Sequence, residues 1–263
     1  MARDPEAERI YQDALDNLRI LAQQDLADWW ADTDGLDYPL REESMLEAFD
    51  YVQRAYGEQA AYAAADYLFV QRSLDKSLAG LEYPTVAEPA SYEQAKGSFR
   101  WATSQWRTYQ DETSLAAAKR RLSGVLNRLV AQPAHETVSE AALAAGNGFA
   151  RVPEPGACDF CLMLASRGAA YTRESVGRSK KFHDNCRCLG IEVTRPSDLP
   201  RINQELGELW RSTGNEAAFK DALESRRSGS WAHRITNKHA VKVKAHEQVT
   251  YETLARAGRR VED

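Results

Sequence analysis

The sequence predicts a mainly α fold, helical domains carrying a small β-containing zinc-knuckle-like unit. Three observations lead there: apolar side chains recur at helical spacing over most of the chain, long polar/apolar alternations are missing, and every cysteine falls in one short stretch. With 263 residues, 43% of them hydrophobic and 28% charged, the chain has ample material for a buried core. Apolar runs such as Ala60 to Val70 are interrupted by Tyr and Asp and fall short of a membrane span, and Met1 to Glu8 lacks a signal-peptide core. The expectation is a protein made in the cytoplasm, where thiols stay reduced, with no membrane partner.

Four regions follow in order. Residues 1–80 are an acidic N-terminal helical region, in which Pro5 to Trp30 forms an amphipathic helix through Ile10, Leu15, Leu18, Leu21 and Leu26. Asp32 to Pro39 breaks it, and a second helical block starts near Leu40, with an interruption expected at Gly57 and alanines beyond that permit close packing. Residues 81–150 are a central helical region behind a connector ending at Pro89. Ser91 and Glu93 supply an N-cap and a first-turn anion for a helix with Phe99, Trp101 and Trp106, tryptophans that read as packing residues. Thr113 is expected to cap the next helix, whose stripe is Leu115, Leu122, Val125, Leu126 and Leu129, and Pro133 to end it. A short helix then runs from Ala134 to a C-cap at Gly146 to Gly148. Residues 151–195 form the metal-binding unit, with Arg167 to Thr172 and Cys188 to Val193 as short strands flanking a basic loop, Thr172 to Lys181. Residues 196–263 are a more basic C-terminal tail region, helical through Glu205 to Trp210, Ala217 to Leu223 and Glu247 to Gly258.

All four cysteines, Cys158, Cys161, Cys186 and Cys188, lie between Gly156 and Val193 together with His183. Two thiols separated by two residues turn back on one another, so both sulfurs can face one point, and His183 with Cys186 repeats that spacing. Paired knuckles of this kind hold structural zinc with tetrahedral geometry. Five donors stand against four places, and Cys186 and Cys188 project to one face of an extended segment at different heights. One of the two is therefore expected to bind, with Cys186 favoured because HxxC mirrors CxxC. Disulfides in oxidising surroundings, or plain buried thiols, are the other readings of the same residues.

So many protein donors leave no open position for water, which argues for a structural site and against an enzyme. A zinc deaminase would place HxE ahead of PCxxC, with the Glu moving protons. Here Glu136 follows His135 directly, about 100° further round a helix, and Ala157 rather than proline precedes Cys158. Nothing after Val193 forms a nucleophile elbow, phosphate loop or dinucleotide fingerprint.

The net charge of -5 is unevenly spread. The first seventy residues are strongly acidic, whereas from Lys180 onward cations gather, among them Arg226, Arg234, Lys242, Lys244, Arg259 and Arg260. Such a dipolar chain suits docking between charged protein surfaces, and a nucleic-acid-binding zinc module is the alternative reading.

The segment from Ala150 to Tyr171, with its CxxC, followed by Phe182 to Cys188 with its HxxCxC, resembles the MuF-like minor head (head morphogenesis) proteins of tailed bacteriophages. The alanine-rich helix around Asp66 to Arg72 is similar to versions found in phages of actinobacteria, so the resemblance covers roughly residues 40 to 195. It implies a structural virion component of the head interior or portal vicinity, in contact with the portal protein or the major capsid protein and possible oligomer partners, and with a role in DNA packaging or delivery. Of its residues it implies Cys158, Cys161, His183, Cys186 and Cys188 as metal ligands.

Overall fold

The computed structural model describes residues 4–154, 156–170 and 182–227. The fold is mainly helical, with eight α-helices and one two-stranded sheet among the described residues. Helix α1 spans Pro5–Asp32 and begins as its sequence demands. Asp4 caps it by accepting from the Glu6 N–H, and Pro5 occupies a first-turn position whose missing donor does no harm. Helix α2, Tyr38–Ser73, runs unbroken through Gly57. After the connector, Ser91 accepts from the Gln94 N–H to start α3, Tyr92–Ala102, and α4 follows at Ser104–Tyr109.

Helix α5, Glu112–Ala144, departs from expectation at both marks. Asp111, not Thr113, is its cap: the Asp111 carboxylate accepts from the Ser114 N–H at 2.7 Å while Ser114 Oγ accepts from the Asp111 N–H at 3.2 Å. A carboxylate serves this end better than a hydroxyl, because the unpaired amides and the helix dipole both favour negative charge. Nor does Pro133 end the helix. It is buried inside α5, and the Leu129 carbonyl, which a proline at 133 cannot engage, lies beside Gly57: a Cβ there would stand 3.3 Å from Pro133 Cγ and 3.7 Å from Leu129 O. Helix α2 therefore covers the weak point of α5, and the glycine that looked like a break is what permits the approach. The expected C-cap does form. Gly146 has φ 73, its N–H reaches the Leu143 carbonyl at 3.1 Å, and the Asn147 N–H reaches the Ala142 carbonyl at 2.8 Å.

That turn feeds directly into β1, Gly148–Val152, which pairs antiparallel with β2, Leu189–Val193, Gly148 standing opposite Val193 and Val152 opposite Leu189. The expected partner strand, Arg167 to Thr172, is corrected: Arg167 to Ala170 are not strand, and Tyr171, Thr172 and the basic loop lie outside the described residues. Helix α6 spans Asp159–Ser166, α7 Arg201–Thr213 and α8 Glu216–Arg227. The helix expected over 247–258 lies outside the described residues.

Packing divides the chain into two units, one of residues 1–152 and 168–200, the other of 153–167 and 201–263. In the first, α1, α2 and α5 pack on one another and the β1–β2 pair lies on α5. Met45, Phe49 and Leu68 of α2 and Leu122, Leu126 and Leu129 of α5 are fully buried, and Ala60, Ala61, Ala64 and Ala65 let the helices close together. In the second, α6, α7 and α8 pack on each other, with Leu206, Phe219 and Leu223 inside.

A buried ion pair fastens the sheet to the helices of the first unit. Arg72 of α2 donates to Glu192 of β2 at 2.8 and 3.0 Å and to the Ala141 carbonyl at 2.9 Å, and Asn147 donates to the same carboxylate at 2.8 Å. Both charged side chains are 6% exposed. Removing one partner strands the other in an apolar setting. Glu192→Leu is expected to lower the unfolding free energy by about 3–5 kcal/mol, and Arg72→Leu added to it to recover part of that loss. Chemical denaturation of the three proteins checks both outcomes, and additive losses would contradict the pairing.

Candidate metal centre

The two cysteine knuckles belong to different units and are built in different ways. In the CxxC knuckle, Cys158 is the N-cap of α6 and Cys161 closes its first turn, the Leu162 N–H donating to the Cys158 carbonyl at 3.0 Å. An N-cap side chain naturally reaches over the third residue of its helix, so the helix start itself turns both sulfurs one way, within 4.8 Å of each other. The amides at that end favour the thiolate form that binds metal. Cys158 is exposed and Cys161 buried.

The HxxCxC knuckle is a turn. The Cys186 N–H donates to the His183 carbonyl at 3.1 Å, and Asn185 takes the left-handed φ of 61 that the tight reversal requires and that asparagine tolerates. His183 Nδ1 lies 2.8 Å from the Asp184 carbonyl. A carbonyl only accepts, so Nδ1 carries the proton and Nε2 keeps its lone pair, the arrangement that metal-bound histidines use. Past the turn the backbone extends towards β2: Cys186 and Cys188 are buried on one side with donor atoms within 4.8 Å, while Arg187 projects the other way to Asp16. None of the four cysteines is joined in a disulfide.

The fit to zinc is chemical as well as geometric. Sulfurs on a tetrahedral zinc sit about 3.8 Å apart when each bond is about 2.3 Å, and each of the two sulfur pairs lies within 4.8 Å without a bond between its members. Soft thiolates with one imidazole form a donor set suited to zinc.

Sequence reasoning missed the residues that hold the second knuckle. Phe182, next to His183, is buried between two side chains, His135 of α5 at 3.6 Å centroid to centroid and the Arg151 guanidinium of β1 at 3.7 Å from its ring. Two groups that close must lie on opposite faces, so the ring is clamped. His135 is thus a packing residue, and it belongs to neither of the Cys/His groups found among the described residues. Only the buried position of residue 135 on an unbroken α5 could have signalled this, and the proline at 133 hid it.

The fold and its knuckles define a mainly helical protein with Cys/His groups able to hold a metal ion. Residues 1–226 match the family model described as VG15 protein. The chain belongs to that family, which is one of viral (phage) gene products. Comparisons with curated proteins and with solved structures return no match.

His135 supplies a test of the packing. Burial, then the charge of Arg19, with Cys186 opposing and Arg151 adding, pushes its pKa down to about 3. In the unfolded chain a histidine titrates near about 6.5, so acidification protonates the unfolded state first. The stability that neutral His135 contributes is complete above that value and is lost as pH falls towards 3, at about 1.4 kcal/mol per pH unit. In chelator-treated protein, His135→Phe is expected to flatten this part of the stability profile, and an unchanged slope would show that the ring is not buried in the neutral form.

Proposed function

We propose that this chain is a non-enzymatic minor head component of a tailed phage, stapled by one structural zinc per chain. The observation that carries the reading is membership of a phage gene-product family by a chain whose Cys/His residues offer metal-binding groups. Similarity to MuF-like minor head proteins over the cysteine stretch supports the finer assignment to the head interior or the portal vicinity. Among the described residues no helix is long and apolar enough to cross a membrane.

The zinc is held by Cys158, Cys161, His183 and one of Cys186 or Cys188. In support, the described residues include Cys/His groups that could hold a metal ion, with Cys158 and Cys161 paired in one knuckle and Cys186 and Cys188 in the other. Zinc would supply no chemistry here beyond cross-linking, since three thiolates and an imidazole complete its shell. The chain's own residues orient the donors: α6 directs the first pair and the turn at Asn185 the second.

Partners are other virion proteins, the portal or the major capsid protein, with packaged DNA second. In support, α2 exposes Tyr51 at 70%, Tyr62 at 46% and Phe69 at 49%. Spacings of eleven and eighteen residues return to the same side of an α-helix, so the three form one stripe of the kind that anchors protein interfaces. Most cations of the DNA reading, from Arg173 to Lys181 and beyond Arg227, lie outside the described residues.

Elemental analysis of protein purified without added metal is expected to give one zinc per chain. Cys161→Ser should lose it, while most of the helical signal survives, because β1 and β2 are fixed to α2 and α5 without the metal. Four fast-reacting thiols and no zinc would defeat the metal reading.

Mass spectrometry of purified virions is expected to detect the chain, and phage lacking it should show defective heads or infectivity. Tyr51→Asp with Tyr62→Asp should reduce incorporation without unfolding the protein. Absence from virions with normal infectivity would remove the head assignment, and a steep loss of DNA affinity with salt would favour the nucleic-acid module instead.

A further inference from the structure

The loop from His183 to Cys188 is held from outside by side chains that are not metal ligands. On α1, Arg19 is 5% exposed and donates through Nη2 to the Cys186 carbonyl at 3.1 Å and through Nη1 to Asp16 at 3.1 Å. Asp16 also receives both ends of the Arg187 fork, Nε at 3.1 Å and Nη2 on the other carboxylate oxygen. On α5, Arg128 donates to Asp184 at 2.8 Å and Asn127 to Asn185 at 2.9 Å. Gln23 of α1 ties the two helices by donating to Asn127 at 2.9 Å and to the Ser123 carbonyl at 2.8 Å. The loop lies against Gly124, where a Cβ would stand 3.0 Å from Asp184 Cβ and 3.2 Å from Asn185 Nδ2.

From this arrangement we infer that the α1–α5 bracket sets the knuckle in its ligand-presenting form before metal binds, which makes Asp16, Arg19, Gly124, Asn127 and Arg128 positioning residues for metal capture. The inference rests on the zinc reading above. Its logic is alternation. Seating Arg187 on Asp16 turns both of its neighbours, Cys186 and Cys188, to the opposite side of an extended backbone, and the Arg19 bond to the Cys186 carbonyl fixes the rotation of that peptide. Asp184 and Asn185 are pinned at the same time, so the turn between His183 and Cys186 cannot reopen. Two guanidiniums share the single Asp16 carboxylate close to sulfurs that bind metal as thiolates. A loop ordered by its surroundings does not charge its ordering entropy against the metal, and outer residues of metal sites matter for this reason.

Zinc affinity of the full chain is measured by competition with a chromogenic chelator, at a temperature where each variant keeps the wild-type helix signal. Arg19→Met and Asp16→Asn are each expected to weaken zinc binding by about tenfold to a hundredfold. Arg19→Lys should fail to rescue, because an ammonium keeps the charge but not the two-pronged geometry. Gly124→Ala would strengthen α5 on helix propensity alone, yet is expected to weaken zinc binding by pushing the turn outward. It also keeps the test decisive should the α1 variants fold poorly. Wild-type affinity in both Arg19→Met and Gly124→Ala would overturn the bracket while leaving the zinc reading intact. A wild-type chain that binds no zinc would overturn both.

Discussion

Everything on the metal side of the first unit depends on α5 continuing past Pro133. A proline inside a helix removes one hydrogen bond and crowds the preceding turn, a penalty of about 3 kcal/mol in an exposed helix. Here α2 packs over that turn, with Gly57 as the point of approach, and the alanines that follow keep the two helices close. Because α5 continues unbroken, Gly124, Arg128 and His135 recur at steps of four and seven residues on one side of it. That side is where the knuckle loop and the β pair attach: Gly124 and Arg128 at the turn, His135 under Phe182, and the C-cap at Gly146 leading into β1. Had the helix ended at residue 132, no common surface would join the turn to the sheet.

Charge plays a different part from the one a formal count suggests. Several carboxylates of the acidic first region are engaged by other side chains rather than left to solvent: Asp16 with Arg19 and Arg187, Glu42 with Arg107, Asp25 with the Tyr56 hydroxyl and Asp66 with that of Tyr83. Burial and its carboxylate partner raise each of those tyrosines to about 12, which keeps both as hydroxyl donors across the physiological range. Buried positive charge is handled by sharing. Arg72 meets Glu192, Arg19 meets Asp16, and Arg151 lies over the Phe182 ring. These contacts gather around β2 and the HxxCxC turn, so the most polar part of the interior is also the part next to the candidate ligands.

The two knuckles represent two solutions to one problem, that of aiming two donors at one point. One is the start of a short helix, where backbone geometry alone brings an N-cap residue over the third position. The other is a reverse turn made rigid by a surrounding network. Exposed aromatic side chains along α2, Tyr51, Tyr62 and Phe69, stand apart from the residues committed to the interior.

The sequence by itself determined the helical class, the alanine-mediated packing and the caps at Ser91 and Gly146, because each rests on local chemistry within a few positions. What only the tertiary structure decided were matters of partnership across long separations. Pro133 and Gly57 each look like a break when read singly, and only their contact shows why neither is. β2 was visible in its apolar pattern, but its partner is β1, which follows a helix cap and carries a buried arginine, rather than the stretch at Arg167 that lay nearer in the chain. Asp16, Arg19 and Arg128 are indistinguishable in sequence from ordinary solvated charges on a helix. Their roles arise because a loop more than fifty residues beyond Arg128, and further still from α1, folds back onto the seam between those helices. Local signals fix elements and donor types, whereas pairing and positioning are properties of surfaces that exist only once the helices have packed.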